Sequence, residues 1–178
     1  AELQELRDAG LGIVYIGAES GSDRILAAIR KGATAAELVD AVRRLEDNGL
    51  PASVTFISGL GGQDHWEEHA IESGRMISRM SPSYVGLLTL MVEPGTQLYD
   101  DVRSGRFRLL DPMQVLAETA LLLQNTEVAS RCVFRSNHAS NYLSLKGDLP
   151  RDKAVLLAQI DQAMAGQALL KDERFRML

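Results

Sequence analysis

One cysteine in 178 residues, Cys132, excludes an internal disulfide framework and any cluster site that needs several thiolates from this chain. So few thiols suit a reducing compartment, and a cytoplasmic location is the expectation. Long apolar runs are lacking as well. Stretches such as Val85 to Val92 fall far short of a membrane span, so no membrane role is expected. No charged-then-apolar leader is visible. Cationic charge is not in excess: the net charge of −5 disfavours broad attraction to nucleic acid, which is not indicated as a partner. The two glycine-rich phosphate signatures are missing. Gly59-Leu60-Gly61-Gly62 lacks the G-x-G-x-x-G spacing, and no G-K-[ST] follows it. No internal repeat or low-complexity stretch is present.

What is present reads as one soluble domain with a substantial core, at 46% apolar and 24% charged residues. Strands and helices alternate. Residues 1–9 read as a helix ended by Gly10, Gly12 to Gly17 as a first strand, and Asp23 to Arg30 as a first crossover helix. Thr34 and Glu37 form a capping box before a helix striped by Leu38, Val42 and Leu45. Ala52 to Ser58, rich in β-branched residues, is a second strand. A helix from about Asp64 to Met80 follows, with Ile71, Met76, Ile77 and Met80 as core contacts. Tyr84 to Val92, nearly continuous in apolar residues, is a third strand. Beyond Glu93-Pro94-Gly95-Thr96 come helices at Gln97 to Arg103 and from Asp111-Pro112 to about Asn125. Arg131 to Ser136 is a further strand, and a closing helix starts at Leu149-Pro150 with Ala154, Leu157, Ile160 and Ala163 on one side. Three strands separated by helices imply a parallel sheet in sequential order with helices on one face. Three strands do not close a barrel. A chain that begins on a helix leading into a buried strand, without an initiator Met, is expected to be cut from something longer.

The stretch Ile13 to Asp23 carries the most functional information. An apolar run breaks at Gly17, presents Glu19, Ser20 and Gly21, and leads into a capped helix, which is how α/β proteins place chemistry at the carboxyl ends of strands. Glu19 reads either as an acceptor for a ligand's hydroxyl or amino groups, or as a carboxylate that caps the next helix or pairs with Lys31 or Arg24. Lys31 reads as a point charge for a ligand carboxylate or as a cation complementing a helix C-terminus. His65 and His69 have metal spacing, but the order H-W-E-E-H is not that of a metalloprotease, and a solvated face is the plainer reading. No metal site is assigned. Ser136 to Tyr142 is the densest polar cluster. His138 within it is a candidate acid or base on the substrate side, against the commoner reading of Ser and Asn bonding their own turn. Cys132 sits in an apolar strand as a buried thiol.

Four segments in register, I-G-A-E-S-G-S-D-R-I-L, I-R-K-G-A-T, F-I-S-G-L-G-G and M-V-E-P-G-T, resemble the second half of a radical S-adenosylmethionine (SAM) enzyme barrel across about Gly10 to Gly105. The tail S-N-H-A-S-N-Y-L-S-L-K-G-D-L-P-R-D-K resembles a subgroup described as iron–sulfur oxidoreductases. The resemblance implies the C-terminal part of a (β/α)6 partial TIM barrel over residues 1–105, with a mostly helical C-terminal extension over 106–178. It implies SAM and a [4Fe–4S] cluster as cofactors of a full-length parent, which cleaves SAM reductively to a 5′-deoxyadenosyl radical and abstracts hydrogen from an unknown substrate. It places Glu19 and Ser20 toward the SAM ribose or methionine, Lys31 toward the SAM carboxylate, Thr55 facing SAM, and Leu88 to Met91, Leu90 among them, near the adenine. Two departures stand out. Gly61 occupies a turn where many members carry proline. The C-x-x-x-C-x-x-C cluster ligands are absent, so the chain alone is expected to be inactive. Two other readings remain at this point: a non-catalytic half-barrel that binds a partner, and a small-molecule-binding α/β domain with no iron–sulfur ancestry, which a non-sequential strand order would favour. An open sheet edge left by missing strands would invite self-association.

Overall fold

The computed structural model describes residues 2–177, so residue 1 of the expected opening helix lies outside them. The elements are α1 (Glu2–Asp8), β1 (Val14–Glu19), α2 (Asp23–Ala28), α3 (Ala35–Asp47), β2 (Ala52–Ser58), α4 (Gly62–Met80), β3 (Tyr84–Thr89), α5 (Gln97–Arg103), α6 (Pro112–Gln124), β4 (Cys132–Ser136), β5 (Leu145–Leu149) and α7 (Lys153–Met164). One five-stranded sheet runs in the order β1-β2-β3-β4-β5, parallel through β4, with β5 antiparallel at the far edge. The sequential order is the one the helix–strand alternation implies, and it removes the ground for the non-sequential alternative.

Local signals account for most boundaries. Thr34 caps α3 with the full capping box, and Asp111, just ahead of Pro112, does the same for α6 with Gln114. Strand β2 alternates strictly. Ala52, Val54, Phe56 and Ser58 are buried under the helices, while Ser53, Thr55 and Ile57 face the other way and are only half-covered. Helices α3, α4, α6 and α7 pack in a row on that first face, as expected. Val42, Leu50, Val54, Phe56, Met76, Ile77 and Leu123 form the centre of the core between them and the sheet. Each such fully buried side chain contributes about 1.5–3 kcal/mol by leaving water. Gly74 lets α4 approach α6 closely: a Cβ there would lie 2.5 Å from the Leu122 carbonyl oxygen.

Three expectations need correction. The first strand runs to Glu19, two residues further than expected, and ends in a bulge between Gly17 and Glu19. The stretch after 105, expected as a mostly helical extension with one strand, adds both β4 and β5 to the sheet, so its apolar residues share one core with the rest. Finally, Leu145–Leu149 is a strand, so the closing helix starts at Lys153. Its buried stripe is Leu156, Ile160 and Ala163, with Ala154 exposed.

Candidate functional site

The uncovered face of the sheet carries the site. Across it, Gly17, Thr55, Gly86 and Arg135 lie in register on adjacent strands. Two glycines flank the threonine, so the row forms a trough. A Cβ on Gly86 would stand 3.8 Å from Thr55 Oγ1, a hydroxyl with no protein partner among the described residues. Tyr15, Ser53 and Tyr84 make the neighbouring row on one side, and Ile57 with Leu88 the row on the other.

At one end of the trough stands an ion pair, with Lys31 Nζ 3.1 Å from Glu19 Oε1 and both side chains about a quarter exposed. The carboxylate folds back over Gly17. A Cβ on that glycine would meet Glu19 Oε1 at 2.2 Å and Lys31 Nζ at 3.3 Å, so only glycine leaves room for the pair. Two backbone reversals bring the partners together. Helix α2 stops at Ala28, and Arg30 in the left-handed region (φ 56°) turns the chain so that Lys31 reaches back. Glu19 itself has φ 67°, and the Ser20 N–H donates to the Ala18 carbonyl at 2.8 Å. This is a γ-turn centred on a non-glycine residue with positive φ, a rare and strained arrangement found where surrounding structure holds it in place.

Helix α4 supplies that support. Ser20 Oγ lies 2.8 Å from His69 Nδ1 and accepts from the Ser22 N–H at 3.1 Å. The Gly21 N–H donates to Ser73 Oγ at 2.9 Å, and Ser22 Oγ donates to Glu68 at 2.6 Å. Gly21 presses on α4 so closely that a Cβ would sit 2.2 Å from the Glu72 carbonyl oxygen. The same device recurs at the next two strand ends. Ser58 Oγ and the Gly59 N–H both donate to the buried Glu118 carboxyl on α6, the second at 2.8 Å. Thr89 Oγ1 donates to Asn141 Oδ1 at 2.9 Å, and its N–H donates to Ser140 Oγ. Each hydroxyl at a strand's carboxyl end is thus tied by a side chain from the segment that follows the next strand.

Burial shapes the titration of two of these partners. Desolvation pushes His69 down to about 4, with the Ile57 backbone countering in part, and its Nε2 makes no hydrogen bond. Desolvation pushes Glu118 up to about 7, against the Ser58 and Gly59 donors, and its Oε1 is likewise unpartnered. Burial also raises the Cys132 thiol to about 12, with the Glu46 and Asp148 carboxylates adding to it.

Of the six site residues that the sequence proposes, the fold brings three together: Glu19, Lys31 and Thr55. Ser20 lies beneath the trough, fully buried against His69. Leu90 lies past the end of β3 in another pocket of about 310 Å³, lined also by Ser58, Met91, Tyr142 and Arg176. His138 is exposed on the loop after β4. Its Nδ1 accepts the Ser140 N–H at 3.2 Å, so the neutral ring carries its proton on Nε2. The solvated-face reading of the two α4 histidines fails for His69, which is completely buried. The helix is kinked at His65 (φ −137°), whose ring turns instead to Arg24 and Glu68. No cluster of three or more metal-binding side chains exists among the described residues. Sequence reasoning misses Glu118 and Arg176. Glu118 leaves a trace, as a lone acid inside the apolar run Val115 to Leu123. Arg176 leaves none: its guanidinium bonds Ser140 O, Leu90 O, Tyr142 and Glu173, partners known only from the fold.

Set beside known proteins, the chain shows likenesses in sequence and in fold. Residues 1–73 match the Radical SAM superfamily. Over 95 residues, 53% of the chain, it is similar at 32% identity to a Pyrococcus horikoshii protein named an uncharacterized methyltransferase. The chain spans only 20% of that relative's length. In fold it is similar to Methanocaldococcus infernus Elp3 lacking residues 1–46, with a TM-score of 0.62 over 94% of this chain and 39% of that one, at 19% identity. The architecture is accordingly similar to that of a radical SAM-type barrel, with the family match confined to residues 1–73.

Proposed function

We propose that the chain is the SAM-binding C-terminal half of a radical SAM iron–sulfur oxidoreductase, working in a reducing cytoplasm on an unknown substrate. The observation that carries this reading is the Glu19–Lys31 pair held over Gly17 beside the free Thr55 hydroxyl. SAM presents an amino acid end with one positive and one negative group, and ribose hydroxyls. A carboxylate, an ammonium and a hydroxyl in one trough match that donor and acceptor set. Lys31 takes the carboxylate, Glu19 accepts from amino or hydroxyl groups, and Thr55 donates or accepts between them. Leu90 and its pocket supply apolar surface for the adenine. Ser20 acts from below.

In the proposed longer protein, Glu19, Lys31 and Thr55 would hold SAM, whose reductive cleavage to methionine, with an electron from a cluster bound outside these residues, would provide the hydrogen-abstracting 5′-deoxyadenosyl group. The residues described here do not fit the [4Fe–4S] cluster that such chemistry uses. Cys132 is the only thiol, it is buried, and its proton is held far above neutrality. The role of this half is therefore to bind and orient. Strand β1 has no neighbour on its outer side among the described residues, and we propose that this edge mediates self-association in the isolated chain.

The test is titration with SAM. Glu19→Ala and Lys31→Ala should each weaken binding about tenfold, and in the longer protein slow SAM cleavage as well. Wild-type affinity and turnover in both variants would refute the assignment.

A further inference from the structure

We infer that His69 is a positioning residue: acting through the Ser20 hydroxyl, it holds the γ-turn at Glu19 and so keeps the Glu19–Lys31 pair over the trough. The inference rests on the SAM reading for what the pair binds, and on geometry alone for how the pair is held.

Four contacts from α4 reach the turn, from Glu68, His69, Glu72 and Ser73. His69 is the one that touches Ser20, the residue whose N–H closes the turn around Glu19. Packing alone does not explain an imidazole here. The position is fully buried, and a polar ring with one nitrogen unpartnered is a poorer core residue than an aliphatic side chain of similar size. The ring's one side-chain hydrogen-bond partner is Ser20, so what the histidine contributes to the turn passes through that hydroxyl. The bond is also braced locally. Ser20 Oγ accepts the Ser22 N–H and shares a second hydrogen bond with His69 Nδ1, so it has a partner on each side in either ring tautomer. The hydroxyl is thereby fixed at both ends. A residue in the left-handed region with no glycine freedom keeps its conformation only when its neighbours are immobilised in this way.

The experiment compares the 178-residue chain with His69→Leu, His69→Asn and Ser20→Ala, by amide hydrogen exchange and by titration with SAM. In His69→Leu, exchange at the Ser20 and Gly21 amides should accelerate about tenfold or more while Val42 and Leu45 in α3 keep their wild-type rates. SAM affinity should fall about tenfold in parallel. Asparagine places its Oδ1 where Nδ1 stands, so His69→Asn should recover both readouts. The Ser20→Ala and His69→Leu effects should not add, because both remove one bond. Wild-type exchange at Ser20 in His69→Leu would overturn the inference, as would equal acceleration in α3. If the unaltered chain takes no SAM, the functional reading falls, and exchange at Ser20 alone decides the role of His69.

Discussion

Replacing Glu118 with glutamine should uncover a dependence of stability on pH that the wild-type protein conceals. Two buried groups titrate in opposite senses. Glu118 has a native value of about 7 against 4.5 when exposed, so between these values the native state holds one more proton than the unfolded chain, and stability falls as pH rises. His69 has a native value of about 4 against 6.5, so between these values the unfolded chain holds the extra proton, and stability rises with pH. Each slope is about 1.4 kcal/mol per pH unit, and over its own window each group amounts to about 3 kcal/mol. From pH 4.5 to 6.5 the two windows overlap and the slopes cancel. The exposed carboxyls of Asp101 and Asp172, held below the ordinary range by hydrogen bonds from Arg106 and Arg174, titrate beneath this overlap.

Wild-type stability should therefore be flat across the overlap. The glutamine of the Glu118→Gln protein keeps an acceptor for Ser58 and Gly59 but cannot ionise, so only the His69 slope remains. This variant should gain about 3 kcal/mol between about pH 4 and 6.5, and at about pH 8 should exceed the wild type by a similar amount. With a urea slope of about 1–3 kcal/mol/M, that is a midpoint shift of about 1 M or more, read by fluorescence of the single tryptophan, Trp66. Parallel wild-type and Glu118→Gln curves, or a variant less stable than wild type under the alkaline condition, would show that the reasoning about these two groups is wrong.

Two further outcomes follow from the packing. Gly74→Ala would gain about 1 kcal/mol in helix propensity if the site were open, but its Cβ would meet the Leu122 carbonyl oxygen at 2.5 Å, so thermal unfolding should show a net loss of about 1–3 kcal/mol. The Val14 N–H faces β2, where it donates to Pro51 O, so by alternation the Tyr15 N–H faces the open edge. Tyr15→Pro should therefore abolish self-association in sedimentation while leaving the circular dichroism spectrum intact. A wild-type chain that is monomeric at all concentrations would refute the edge proposal.

Periodicity and capping residues by themselves determined the elements and their order. The alternation of Ala52 to Ser58, the capping box at Thr34 and Glu37, and the glycine and proline stops all act over a few residues, so they are legible in the chain itself. They imply a parallel sheet, and the motifs in register with Glu19 imply the site at its carboxyl ends. Only tertiary structure decided what each polar residue faces. Leu145–Leu149 carries no strand signal of its own because it becomes a strand only by pairing with β4. His69 sits among acidic residues in the chain yet points into the core, because α4 turns that face toward the Glu19 loop. Glu118 gains its partners from residues 58 and 59, which no local pattern connects to α6. A hydrogen bond between distant residues depends on how helices settle onto a sheet, and that is set by the summed packing of the core. The Glu19–Lys31 pair belongs to both levels: local spacing sets its members twelve residues apart, and two left-handed turns with a bare glycine bring them together.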